Sequence, residues 1–359
     1  MSEATEQISP YTRLVQKAFS DAIPLTAQFE LTFRCNHLCT FCYNSPDGRR
    51  EMTTPQIFET LKKIAEFGVL YLTLTGGEAL CHKDFFKIAA EGRRLGMALR
   101  IYTNGYLLAD PAMARRIVDL KPVEVEISVH GARPETHDAL TRIKGSFAKT
   151  MQGVRNLRDA GIKVQLKCPI TKLNQNELFD IRDLADGLGC HITFDAVITP
   201  KDDGSLDPLA LRPDDDFLSK YWGEWYMELH HGKLPPRQNH CAAPGTEANC
   251  GTGRSGFTID PYGDILPCVA FRRKIANILE IDSLHDIWGG NQVLNEVRDL
   301  AIEARTRLNE REDGKYFTFC LGVAEKQVGD PLGVYPQAEL NAKSIRRSYE
   351  LLQIGEQRG

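Results

Sequence analysis

The chain has 359 residues, 42% of them apolar, and a formal net charge of -4. That length suits about two domains with ample core, and the charge balance lacks the basic stripe that nucleic acid or an anionic membrane would require, so neither is an expected partner. The opening MSEATEQISPYTRLVQKAFSDA has no apolar core segment and nowhere do about eighteen apolar residues run together, so the expected location is cytoplasmic, with the ten cysteines serving metal or redox chemistry rather than disulfides.

In chain order, β-branched apolar runs predict strands at 27–33, 69–74, 98–102, 123–128, 163–166 and 191–197. Helical spacing fills the intervals: Ile57, Leu61 and Ile64 mark a helix over 54–67, and 135–160 reads as a helix broken near Gly145. Alternating strands and helices predict an α/β fold, a parallel sheet closing into a partial, six-unit (β/α) barrel. The expected division is an N-terminal segment 1–23, the barrel 24–200, a connecting helical segment 201–240, a cysteine-bearing module 241–336 and a C-terminal helix or tail 337–359. In the connecting segment, Tyr221, Trp222, Trp225 and Tyr226 are expected to pack as a helix between domains, and His230, His231 and His240 to be solvated. Leu294, Val297, Leu300, Ala304 and Leu308 predict an amphipathic helix on the late module.

The run RCNHLCTFCY sets Cys35, Cys39 and Cys42 in one short loop after the first strand. A structural zinc site needs a fourth ligand, which no adjacent residue supplies. Three thiolates can instead hold a cubane iron-sulfur cluster and leave one iron open to a cosubstrate. The other chemistry-bearing residues fall at the carboxyl ends of the predicted strands, where β/α barrels build active sites. Gly76, Gly77 and Glu78 follow the second strand, Thr103, Asn104 and Gly105 the third, Ser128 closes the fourth, Cys168 follows the fifth and Asp195 lies near the end of the sixth. The glycines are expected to let backbone approach a ligand, and a carboxylate such as Glu78 accepts bonds from an ammonium group. Cys81, Cys168 and Cys190 are expected to be small buried residues rather than reactive ones. Among them Cys168 is the one to watch, since its strand end could face the reaction.

The three-cysteine spacing, with Phe41 before the third, resembles the radical S-adenosylmethionine (radical SAM) superfamily. The resemblance implies a 4Fe-4S cluster on Cys35, Cys39 and Cys42, SAM on the open iron, reductive cleavage of SAM to a 5'-deoxyadenosyl radical, and a flavodoxin- or ferredoxin-like reductant. It also implies SAM contacts from Phe41, Gly76, Gly77 and Glu78 (in TGGEAL), Thr103, Asn104, Ser128 and Arg142 (in HDALTRIKGSF); Ala79 replaces the family's usual proline. Beyond the barrel, CGTGRSGFTIDPYGDILPC and Cys320 resemble a SPASM or twitch module. That likeness implies one auxiliary 4Fe-4S cluster on Cys241, Cys250, Cys268 and Cys320, with electron transfer or structural support as its role, and the loss of a second auxiliary cluster. Cys241 remains open as its fourth ligand.

The resemblance is greatest to maturases of ribosomally made peptides, which implies oxidation or cross-linking of a peptide. Only about twenty-five residues precede the first strand, too few for a fused peptide-recognition domain, so a separate recognition protein or a small substrate is expected. The alternatives are a dehydrogenase or epimerase of a small metabolite such as an aminocyclitol and, from another class, a non-catalytic iron-sulfur carrier or redox sensor.

Overall fold

The computed structural model describes residues 9–235 and 247–356, with side chains through residue 350. Six strands, β1 (Thr26–Glu30), β2 (Tyr71–Thr75), β3 (Ala98–Thr103), β4 (Glu124–Ser128), β5 (Val164–Pro169) and β6 (His191–Asp195), lie side by side in sequence order and all run parallel. Each predicted run overlaps one of them, with ends that differ by up to three residues. Helices cover the outside; that over Thr54–Glu66 opens with a reciprocal capping box between Thr53 and Gln56 and buries Ile57, Thr60, Leu61 and Ile64.

The predicted break in the long helical stretch is real and has a local cause. Helices Pro134–Thr141 and Ser146–Asp159 are separated by a turn in which Arg142 (φ 57°) and Gly145 (φ 80°) are left-handed. The Asp138 carboxylate accepts bonds from the Ser146 hydroxyl and the amides of Gly145 and Phe147, capping the second helix from within the first.

Side chains alternate strictly along the middle strands. Leu99, Ile101, Val125, Ile127, Val164 and Leu166 are buried against the helical layer, while Arg100, Tyr102, Glu124, Glu126, Gln165 and Lys167 between them are half-buried and line the barrel interior. A polar interior differs from the packed apolar layers of a closed eight-stranded barrel and gives the open barrel a wettable chamber. Cys168 belongs to the buried set: it is fully enclosed, with the Asn174 amide 3.5 Å from its sulfur. Its expected place as a small buried residue is therefore observed, because the strand period of two turns it toward the helices and away from the reaction its strand end could have faced.

The cysteine-bearing module does not stand apart from the barrel sheet. Its strands β7 (Gly256–Ile259), β8 (Asp264–Leu266) and β9 (Ala276–Asn277) extend the sheet in the order β6-β5-β4-β3-β2-β1-β7-β8-β9, with β7 parallel to β1 and the last three antiparallel. The edge that an open barrel would expose at β1 is thereby paired. Gly256 lies so close that a Cβ there would stand 2.3 Å from the Thr26 hydroxyl.

The aromatic connecting segment packs as expected: Tyr221 and Trp222 are buried, and the Trp222 indole donates to Asn341 of the helix Pro336–Glu356. His230 is not simply solvated, since its ring stacks on Tyr226 at 4.0 Å and bonds the Tyr221 hydroxyl. His240 lies outside the described residues. The late amphipathic helix spans Gln292–Asn309 and buries Leu294, Val297, Ala301, Ala304 and Leu308, with Ala301 rather than Leu300 at the centre of the stripe. No helix among the described residues is long and apolar enough to cross a membrane.

Candidate active site

The loop after β1 is fixed from three sides. At its start, the Thr32 hydroxyl and the Phe33 amide both donate to the Glu51 carboxylate, at 2.8 and 2.7 Å. On the β2 side, the Gly77 amide donates to the Thr32 carbonyl and the Glu78 amide to that of Arg34. Only glycine permits this contact: Gly76 has φ +144°, and a Cβ would meet the Thr32 carbonyl oxygen at 2.4 Å from Gly76 or that of Phe33 at 2.5 Å from Gly77. The close approach made by the two glycines is thus to the cysteine loop itself. On the third side, the Leu38 and Thr40 amides donate to the carbonyls of Thr141 and Leu140, which sets the loop beside Arg142.

Glu78 is 2% exposed, and its carboxylate already accepts bonds from the Thr103 hydroxyl (2.8 Å) and the amides of Leu80 and Asn104 (3.1 and 2.7 Å). It therefore stitches the end of β2 to the end of β3. Asn104 carries the connection onward by donating to the Asn36 side chain at 2.7 Å. Burial raises the Glu78 carboxyl above its ordinary range while these donors oppose the rise. Ser128 ends β4, half-buried, and Arg142 is exposed.

Cys35 and Cys42 are exposed and Cys39 half-buried; partial desolvation in the loop raises all three thiols, Cys35 to about 11 and Cys39 to about 12. Thiolates here require a cationic partner, and a metal cluster supplies one while displacing the protons. Among the described residues no three His, Cys, Asp or Glu side chains close on one ion. Three thiols of one loop, close enough for their charges to raise one another, fit a cubane, which takes one thiolate per iron atom. Cys81 is half-buried, not core filler: its sulfur accepts the Asn36 amide, the nearby Glu78 carboxylate raises its thiol, and it in turn raises that of Cys35.

Sequence reasoning missed the wall behind the loop. His37, His130 and His137 are all buried; the Phe41 ring meets His130 edge-on at 5.1 Å, and His137 Nδ1 accepts the His130 amide. Burial lowers all three, His37 and His137 to about 4, which keeps the rings neutral. For His137, the unfolded chain takes up a proton as pH falls through 6.5, whereas the folded ring stays neutral down to about 4. Its contribution to stability is complete above that upper value and is lost on acidification across the window, by about 3 kcal/mol. His137→Phe is expected to flatten the decline of urea-unfolding stability between those limits. An unchanged slope would show that the ring titrates normally.

In the late module, Cys250, Cys268 and Cys320 come from three loops brought together by their neighbours. The Asn249 side chain, 1% exposed, donates to the Phe319 carbonyl at 2.9 Å, and the Gly253 amide bonds Pro267. Gly322 packs so tightly on Ala270 that a Cβ would lie 2.3 Å from its carbonyl oxygen. Each contact joins segments carrying two different cysteines. Cys241 lies outside the described residues.

A partial parallel barrel with an open three-thiol loop at its carboxyl face, followed by a second three-thiol constellation, defines an iron-sulfur protein with two cluster modules. Comparison makes this specific: residues 29–185 match the Radical SAM superfamily, and residues 250–320 match SPASM, an iron-sulfur cluster-binding domain. The chain thus carries a Radical SAM domain and a SPASM domain, which bring 4Fe-4S clusters and SAM as cofactors. It is 27% identical over 317 residues to the mycofactocin maturase MftC of Mycolicibacterium smegmatis, covering 81% of this chain and 77% of that one. It is also 27% identical over 345 residues to the AdoMet-dependent heme synthase of Methanosarcina barkeri, covering 87% and 95%. Streptococcus suis SuiB bound to precursor peptide SuiA shares the fold, with a TM-score of 0.63 at 16% identity over 88% of this chain and 82% of that one.

Proposed function

We propose that this protein modifies a ribosomally made peptide by radical SAM chemistry, oxidising or cross-linking it. The observation that carries the reading is the alignment with a maturase across 81% of the chain. Cys35, Cys39 and Cys42 would hold the cluster that binds SAM. When bound, cluster and SAM supply hydrogen abstraction from an unactivated carbon.

The chain's own residues do the positioning. Gly76, Gly77 and Glu78 hold the cysteine loop against the end of β2. The exposed Arg142 guanidinium, set next to the loop by the Leu38 and Thr40 bonds, is suited to grip a carboxylate in bidentate fashion. Phe41 offers an apolar face backed by neutral His130. The polar interior around Tyr102, Glu126 and Lys167 receives and orients the substrate, which displaces water from the chamber as it binds. Cys250, Cys268 and Cys320, with Cys241 as their fourth partner, would hold the auxiliary cluster, which would serve as acceptor for the electron that the substrate radical gives up as it becomes oxidised product. A flavodoxin- or ferredoxin-like protein is the expected reductant.

The second reading, a small carboxylated metabolite such as a porphyrin, is favoured by the heme synthase alignment over 87% of the chain. Incubating the reduced holoprotein and SAM separately with the peptide encoded by a neighbouring short reading frame and with iron coproporphyrin III separates the two. A mass change in the peptide alone supports the proposal, and one in the porphyrin alone replaces it. The roles of the two sites also separate: Cys268→Ala in a soluble protein with a loaded barrel site is expected to keep making 5'-deoxyadenosine while modified peptide falls at least about tenfold. Modification at the wild-type rate would remove any required part for the auxiliary site.

A further inference from the structure

One guanidinium lies where the two modules meet. Arg272, 14% exposed at the side chain, follows Cys268 by four positions, and the Phe271 amide just before it donates to the Cys268 sulfur at 3.3 Å. Its terminal nitrogens grip both oxygens of Glu30, at 3.2 and 3.0 Å. Glu30 ends β1, the strand that runs into the Cys35 loop, and is 2% exposed. Arg272 Nε is 3.3 Å from Asp202, whose amide donates to the carbonyl of Tyr43, the residue after Cys42. Asp202 also accepts from Lys326 at 2.7 Å, on the helix Leu321–Val328 that begins next to Cys320. Asp260, in the turn between β7 and β8, completes the set at 3.9 Å from the guanidinium.

A buried ion pair of this kind is seldom retained for stability, because taking both charges out of water offsets most of their attraction. Its value lies in geometry: a bidentate fork fixes direction as well as distance. Here the fork and its neighbours reach three cysteine-bearing segments, those of Cys42, Cys268 and Cys320, from both cluster sites.

We propose that Arg272 is a positioning residue that couples the auxiliary cluster site to the SAM-cluster loop, so that loading the auxiliary site tightens the backbone around Cys42. The inference rests on the two cluster modules and is independent of whether the substrate is a peptide. Nothing in the coupling requires chemistry by Arg272 itself; it acts through Glu30, Asp202 and the Tyr43 carbonyl.

The test is hydrogen exchange on anaerobically reconstituted full-length protein, reading peptides that contain residues 38–43 and the Asp202 amide. Cys268→Ala, which unloads the auxiliary site, is expected to raise exchange there by about tenfold. Arg272→Gln alone would leave Glu30 buried and unpaired and could unfold the chain, so the informative variant is Glu30→Gln with Arg272→Gln, a neutral pair that can still hydrogen-bond. With iron content equal to wild type, this double variant is expected to show the raised exchange already, and adding Cys268→Ala should raise it no further. Arg272→Lys, which keeps the charge and loses the fork, is expected to restore only part of the protection. Wild-type protection in the double variant, or an additive rise on combining it with Cys268→Ala, would overturn the coupling.

Discussion

Protein in which Cys35, Cys39 and Cys42 are all replaced by alanine is expected, after anaerobic reconstitution, to hold about half the iron and sulfide of wild type and to make no 5'-deoxyadenosine from SAM and dithionite. The factor of one half follows from two four-iron sites on separate thiolate sets. The loop's thiols can go without dismantling the late module, because Cys250, Cys268 and Cys320 are brought together by Asn249, Gly253 and Gly322 and not by the loop. Iron content unchanged by the triple substitution would remove the central assignment. Wild-type silence with both sites loaded would favour a non-catalytic carrier.

Gly77→Ala is the second change with a large expected effect. The added methyl group would sit 2.5 Å from the Phe33 carbonyl oxygen and 2.7 Å from that of Arg34, both backbone atoms of the cysteine loop just after β1. Neither oxygen can rotate away as a side chain would, so the loop or the end of β2 must shift. The expected cost is about 3 kcal/mol in unfolding free energy, together with loss of cluster from the barrel site and not from the late module. Urea unfolding and iron analysis of the variant measure both. If the glycines served only to admit a ligand, stability would hold and SAM affinity alone would fall, which is the outcome that would refute this reading.

Sequence by itself determined much of the site. The spacing of Cys35, Cys39 and Cys42 and the strand–helix alternation are local properties, set by short-range geometry and by apolar periods of two and near four, so they can be read before folding. The arrival of Gly76, Glu78, Asn104 and Ser128 on one face follows from the same alternation, since every parallel strand ends at the same side. The break before Gly145 was legible for a similar reason, being a glycine in a helical pattern, although its cap, Asp138, was not.

Only the tertiary structure decided what depends on contacts distant in sequence. That β7 would pair with β1, 230 residues apart at Thr26 and Gly256, is written in no local pattern; it follows from an open barrel having an edge to cover. The direction of Cys168 turned on a single step of the strand period, and a one-residue shift reverses the face. The buried histidines behind Phe41 gave no signal, because an imidazole in a polar stretch reads the same whether solvated or enclosed. Likewise Arg272 was one cation among the 44 lysines and arginines of the chain until folding placed Glu30, Asp202 and Asp260 around it. Charge can be counted along a sequence, but its partner is chosen by the fold, since attraction in a low-dielectric interior acts through space and not along the chain.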